Sequence, residues 1–283
     1  MVKMPPNTAC TRRRRRHAAR LGDAGAFGVL NQERDLNMGN FRCSTIHKQD
    51  DHGASAFLFD LRNSTKITRC ISYDERLQYH VNYMRDLHKF IYSTIYGKYS
   101  TGSDKDEFAI NDTGDGYLCA FWSKNHSLDC MGLAIEIKKY LQKSLSKHND
   151  KLELKKEGLR LDFGFAIHTG GLTVERVNFN DKGGRLIHKD FILGILPNAV
   201  SRLEKLNKLY IEYCFTASGN YKSCFSKQAN NIGNSELKKL FNDTSQFVHK
   251  SPGRVNIDDG KPEGHYVYTI DDSFFQEFKK LYP

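Results

Sequence analysis

The stretch Phe57-Leu58-Phe59-Asp60-Leu61-Arg62-Asn63-Ser64-Thr65 carries a carboxylate at the end of an apolar run that begins at Ala54. A run this short, closed by an acid and polar residues, reads as a buried strand. Downstream, Leu77, Val81, Met84, Leu87, Phe90, Ile91 and Ile95 recur at helical spacing over 74–97, with Gly97 as a stop, which predicts a long amphipathic helix. Two further apolar runs, 107–111 and 117–122, are joined by Asp112-Thr113-Gly114-Asp115-Gly116. That linker has hairpin chemistry and puts Asp115 at the tip. A second helix is expected over 128–146, strands over 159–168 and 172–178, a helix over 192–209 and a strand over 210–217. Order is weak from 218 to 262, after which 264–270 reads as a last strand and Ser273 starts a terminal helix. Strands and helices alternate without a regular βα repeat, so the fold class is α/β, an α+β sandwich with a mixed or antiparallel sheet flanked by helices.

The 283 residues carry a net charge of +10, but the excess is local. Lys3, Arg12 to Arg16 and Arg20 precede the first acid, Asp23, and the rest of the chain is close to balanced. A basic block of this kind acts mainly as a solvated arm, so residues 1–45 are set apart as a basic tail and 46–283 as one catalytic domain. Without interleaved aromatics the tail is a poor nucleic-acid groove, and nucleic acid is not an expected partner. The seven cysteines show no metal-ligand spacing and read as reduced thiols. No stretch approaches the roughly 20 apolar residues of a membrane span, so the expected location is cytoplasmic.

Asp60 and Asp115 close adjacent buried runs. Magnesium and manganese take oxygen ligands, and a nucleotide-bound metal needs only one or two carboxylates because phosphate and water supply the rest. Two converging carboxylates could therefore hold two metals. The plainer reading makes Asp60 a helix N-cap or loop acid and Asp115 an ordinary turn acid, and composition alone favours it.

The surroundings of these acids weigh against that plainer reading. The 57–65 segment resembles the first metal-binding segment of class III adenylate and guanylate cyclases, and Thr113-Gly114-Asp115-Gly116-Tyr117 resembles the second. Phe165-Ala-Ile-His168-Thr169-Gly170-Gly171 is similar to the family's strand-turn segment, and Gly194-Ile-Leu-Pro-Asn198-Ala-Val-Ser-Arg202 to its dimer-contacting helix. The four segments fall in family order, which makes the set more specific than any member. The resemblance implies an enzyme that converts a nucleoside triphosphate to a 3′,5′-cyclic nucleotide with two Mg²⁺ or Mn²⁺ ions. Asp60 and Asp115, with the Leu61 carbonyl, would hold the metals, and the backbone of Arg62, Asn63, Ser64 and Thr65 would cradle the phosphates. Asn198 would orient the ribose and Arg202 would stabilise the transition state. In the family these two face metals held by the other protomer, so a head-to-tail homodimer with two composite sites is implied.

The chain departs from the family at the base. The position four before the second metal acid, Lys in adenylate and Glu in guanylate cyclases, is Asn111 here. The second base-reading position is Phe191, or Asp190 with a one-residue shift. Neither purine code is reproduced, and an amide reader with an aromatic suits a pyrimidine, UTP or CTP. The Asp-Leu-Arg-Asn-Ser-Thr loop also resembles that of stand-alone bacterial cyclases making cyclic CMP or cyclic UMP in antiphage signalling, a resemblance that implies a role for Arg62 in holding the triphosphate or the base. Antiphage signalling would leave the effector encoded elsewhere. Lys261, in a turn before the last strand, is a further triphosphate candidate, although a solvated turn lysine is the plainer reading. His168 reads as packed or turn-bonded. The alternatives are purine cyclase activity and a non-catalytic nucleotide-binding module.

Overall fold

The computed structural model describes residues 41–48, 53–71, 75–101, 106–180, 186–207, 215–242, 248–257 and 264–283. The chain runs β1 (Phe41–Lys48), β2 (Ala54–Arg62), α1 (Ser64–Cys70), α2 (Arg76–Tyr99), β3 (Phe108–Asp112), β4 (Gly116–Phe121) and α3 (His126–Lys151). It continues through β5 (Asp162–Gly170), β6 (Leu172–Asn180), β7 (Leu186–Leu193), α4 (Ile195–Asn207), β8 (Phe215–Ser218) and α5 (Gly219–Asn231). The last elements are α6 (Ser235–Asn242), β9 (Val248–Val255), β10 (His265–Ile270) and α7 (Asp272–Leu281).

Seven strands form one sheet in the order β3-β4-β2-β5-β8-β10-β9. Every neighbouring pair is antiparallel except β5 with β8. A second, three-stranded antiparallel sheet has the order β1-β6-β7. The mixed α/β architecture predicted from the alternation of runs is the one observed.

Strand alternation divides the core by size. Phe57, Phe59, Leu61, Phe165 and Phe215 enter one cluster with apolar residues of α2, α3, α5, α6 and α7. On the other face Ala54, Ala56, Ala109, Ala120 and Ala166 join Leu196, Val200 and Leu203 of α4. Small residues under α4 let that helix approach closely, while the aromatic face fills the deeper space under the other helices. Asn207, at the end of α4, donates its amide to the Phe165 carbonyl and ties the helix to β5.

Four sequence expectations are corrected. Residues 41–45, set aside with the basic tail, include the start of β1, which pairs along its whole length with β6. Of Asn63 to Thr65, expected as loop, Asn63 is the N-cap residue of α1 and Ser64 and Thr65 already belong to it. The helix expected from 192 begins at Ile195, because Ile192 and Leu193 end β7 and Gly194, at φ 107°, breaks the chain between them. Residues 218–262, expected to be weakly ordered, contain α5, α6 and β9. In α5 the buried set Tyr221, Cys224, Phe225, Gln228 and Ala229 has helical spacing, but Cys and Gln hid it from a purely apolar count, and Ser218 caps the helix by accepting from the Tyr221 amide.

Between α2 and α3, His80 and His148 share a hydrogen bond of 3.0 Å, and His148 stacks on Tyr83 with ring centroids 4.0 Å apart. Burial lowers the pKa of His80, and burial together with the neighbouring His80 takes His148 down to about 3. Both folded values lie below the ordinary imidazole value, so the pair contributes stability that is present above pH ~6.5 and lost as pH falls below it. The urea midpoint should therefore fall steadily between pH 6.5 and 4, with a limiting slope of about 1.4 kcal/mol per pH unit for each extra proton bound by the unfolded chain. His148→Gln should flatten that slope. An unchanged slope in the variant would assign the acid sensitivity to other groups.

Candidate active site

β2 delivers the first acid. Phe57, Phe59 and Leu61 point into the aromatic cluster, so Asp60 and Arg62 take the opposite face at the strand's end. Asn63 then adopts a left-handed conformation, φ 67°, and its side-chain amide donates to the Arg160 carbonyl at 2.9 Å. Asparagine tolerates this region because its short polar side chain bonds locally. The turn releases the chain into α1, whose first hydrogen bond runs from the Ile67 amide to the Asn63 carbonyl at 2.9 Å. The amides of the turn before Ile67 have no helical carbonyl to reach.

The hairpin delivers the second acid. Asp112 accepts from the Gly114 amide at 2.7 Å, and the Thr113 amide donates to the Gly116 carbonyl at 3.0 Å. Gly114 takes φ 96°, as a turn of this kind requires. The Asp115 carbonyl accepts from the Leu61 amide at 2.9 Å, which fastens the hairpin tip to the end of β2. Gly116 sits so close to β2 that a Cβ there would lie 2.0 Å from the Phe59 carbonyl oxygen. No side chain fits at this position, and its absence holds Asp115 next to the end of β2.

The result is a cleft of about 480 Å³ lined by the run from Asp60 to Lys66 and by Asp115. Both predicted metal acids, Leu61 and the predicted phosphate-loop residues Arg62 to Thr65 all line it. Lys66 lines it as well, a residue the sequence reading passed over; its signal was a cation directly after Thr65, on the first turn of a helix not foreseen. Two carboxylates and a main-chain carbonyl make a hard oxygen donor set. Among the described residues no group of three or more His, Cys, Asp or Glu side chains converges. The donors therefore fit Mg²⁺ or Mn²⁺ that takes its remaining ligands from phosphate and water, and do not fit an ion held entirely by protein.

Other predicted residues lie elsewhere. Asn111 is half-buried on β3 and pairs with Leu118, which pairs with Leu58 of β2. It thus shares the sheet face of Asp60 one row behind it. Phe191 is 42% exposed on the outer side of the small sheet. Asp190 points inward, where its carboxylate receives Arg176 Nε at 2.9 Å and Nη2 at 3.2 Å. Asp190, the base-reading position under the one-residue shift, has its charge engaged in this buried ion pair. Asn198 and Arg202 stand one turn apart on the exposed side of α4 and do not line the cleft. His168 is buried and bonded to Ser218 at 2.6 Å, a packed histidine as expected. Lys261 lies outside the described residues. No described helix is long and apolar enough to cross a membrane.

The fold and cleft define a mixed α/β chain with two carboxylates lining one open site. No family model and no curated protein matches the sequence. Among solved structures, a bacterial light-regulated adenylyl cyclase matches over 85% of this chain and 57% of its own, at 16% identity and a TM-score of 0.48. The adenylyl cyclase CyaB from P. aeruginosa matches over 82% of this chain and 96% of its own, at 17% identity and a TM-score of 0.46. The guanylyl cyclase Cya2 matches over 82% and 94%, at 16% identity and a TM-score of 0.40. The chain thus spans under two thirds of the light-regulated protein.

Proposed function

We propose that this protein is a nucleotidyl cyclase, converting a nucleoside triphosphate to its 3′,5′-cyclic nucleotide and pyrophosphate. The carrying observation is the convergence of Asp60, Asp115 and the 62–65 backbone on one cleft. In the reaction the ribose 3′-oxygen bonds to the α-phosphorus, the bond from that phosphorus to the pyrophosphate oxygen breaks, and the hydroxyl proton passes to solvent. Bound Mg²⁺ or Mn²⁺ would lower the pKa of the 3′-hydroxyl and offset charge on the α-phosphate and leaving group. Asp60 and Asp115 would hold the ions, with the Leu61 carbonyl as a further donor. The Asn63, Ser64 and Thr65 amides would orient the β- and γ-phosphates.

Asn198 and Arg202 would complete the site from a second copy. Ile195, Asn198 and Arg202 recur on one side of α4, and Phe191, Leu193 and Ile195 are 42%, 46% and 54% exposed. Apolar exposure beside two residues that miss their own chain's cleft supports a homodimer whose sites are shared. Arg202 would then stabilise the charge that develops on the α-phosphate, and Asn198 would orient the ribose.

Asn111, behind Asp60 on the same face, would read the base, and an amide suits UTP or CTP better than the Lys or Glu of purine enzymes. The product would act as a second messenger in bacterial antiphage defence, with its effector on another chain. The test is incubation of the protein with Mn²⁺ and ATP, GTP, CTP or UTP separately, with products read by mass spectrometry. Cyclic UMP or cyclic CMP is expected. Asn111→Ala should erode the preference among bases by about tenfold. A cyclic purine would keep the mechanism and sink the pyrimidine assignment; no product from any nucleotide would favour a non-catalytic binding module.

A further inference from the structure

The Arg62 side chain is not used by the fold. Its direct cross-strand neighbour on β5 is Asp162, a ready ion-pair partner by position. Asp162 instead accepts from the Phe163 amide at 2.9 Å. The guanidinium leans away over Gly164, the cross-strand neighbour of Asp60. A Cβ on Gly164 would lie 2.6 Å from Arg62 Nη2 and 3.1 Å from Nε, so glycine is what leaves room for the side chain in this position. There Nε and Nη2 are buried with no hydrogen-bond partner among the described residues. A guanidinium cannot shed its charge, and leaving two of its donor nitrogens buried and unmet is costly unless an anion supplies acceptors.

We propose that Arg62, seated over Gly164, is a preset clamp for the β- and γ-phosphates of the substrate and of the pyrophosphate product. The proposal rests on the reading of Asp60 and Asp115 as the metal-binding pair. Register decides which part of the nucleotide Arg62 meets. Asn111 lies level with Leu58, Asp60 with Gly116 and Gly164, and Arg62 two residues further out. With a strand rise of about 3.3 Å per residue, the Arg62 backbone stands on the order of 13 Å along the strand from the Asn111 row, and its guanidinium, folded back over Gly164, lies level with Asp60. A nucleotide whose base lies toward Asn111 and whose triphosphate runs past Asp60 toward the 62–65 turn brings its phosphates, not its base, within the arm of Arg62. Planar, bidentate donors suit such oxygens.

The experiment titrates full-length protein calorimetrically with inorganic tripolyphosphate and, separately, with a nucleoside 5′-monophosphate, both with Mn²⁺. Arg62→Ala should weaken tripolyphosphate binding by about tenfold or more and monophosphate binding by less than about twofold. Arg62→Lys should lose less, because it keeps charge without the fork. Gly164→Ala should repeat the Arg62→Ala pattern with the arginine still present, and circular dichroism checks that each variant is folded. Equal losses for both ligands, or an unchanged tripolyphosphate affinity in folded Arg62 variants, would overturn the clamp and leave the cyclase reading intact. If wild-type protein shows no Mn²⁺-dependent tripolyphosphate binding, or Asp60→Asn binds as tightly as wild type, the cleft reading falls and takes the clamp with it.

Discussion

Asp60→Asn and Asp115→Asn should each lower cyclic nucleotide formation by on the order of 10³-fold, a loss of the size seen when one preorganised electrostatic partner is removed. The amide keeps the size of the carboxylate, so the β2 end and hairpin tip remain, including the bond between the Leu61 amide and the Asp115 carbonyl. What disappears is the anionic oxygen that a hard cation requires. Arg202→Ala should be equally damaging although it lies outside the cleft of its own chain. Mixing the inactive Asp60→Asn and Arg202→Ala proteins then gives a sharper result than either alone. Random exchange of a symmetric dimer makes about half the dimers mixed, each with one intact shared site, and about a quarter of wild-type activity should return. No recovery after exchange, with dimers present by light scattering, would remove Arg202 from a shared site. Turnover above about a tenth of wild type in both aspartate variants would remove the carboxylates from catalysis.

Legibility in the sequence followed how local the physical cause was. Asp60 and Asp115 could be placed because strand ends and hairpin tips have short signatures, an apolar run stopped by acid and an Asp-Gly turn. Their convergence needed Gly116, whose closeness to the Phe59 carbonyl depends on pairing between β2 and β4, and no residue pattern in either strand announces that contact. The same limit hid the role of Gly164, which looks like any strand glycine until Arg62 is found lying on it. The α4 boundary failed for a different reason. Ile192 and Leu193 continue the apolar pattern of Ile195 and Leu196, so periodicity ran through a glycine that the backbone uses as a break. The identity of Asp190 as a base reader or a structural acid could not be read from the sequence, since its partner Arg176 sits on the neighbouring strand β6.

Arg176→Ala should destabilise the protein by about 3–5 kcal/mol, the range for removing one partner of a buried pair. Its guanidinium and the Asp190 carboxylate have side chains only 6% and 7% exposed. The same guanidinium also donates from Nη2 to the Phe108 carbonyl at 2.7 Å, so it joins the small sheet to β3 of the large one. Truncation leaves a buried carboxylate with neither partner nor solvent, and a β3 carbonyl without a donor. The loss should appear as a lower urea midpoint and as faster amide exchange in β6 and β7, while the core strands β2 and β5 hold their protection. Arg176→Met combined with Asp190→Leu should recover most of the stability, because it removes the desolvated charge along with its partner. That double variant separates two roles of this strand pair. If the ion pair only seats the small sheet, the repaired protein regains turnover, since Phe191, Leu193 and Ile195 again present the same face to a second copy. If stability returns and turnover does not, the Arg176–Asp190 pair has a part in the reaction beyond packing.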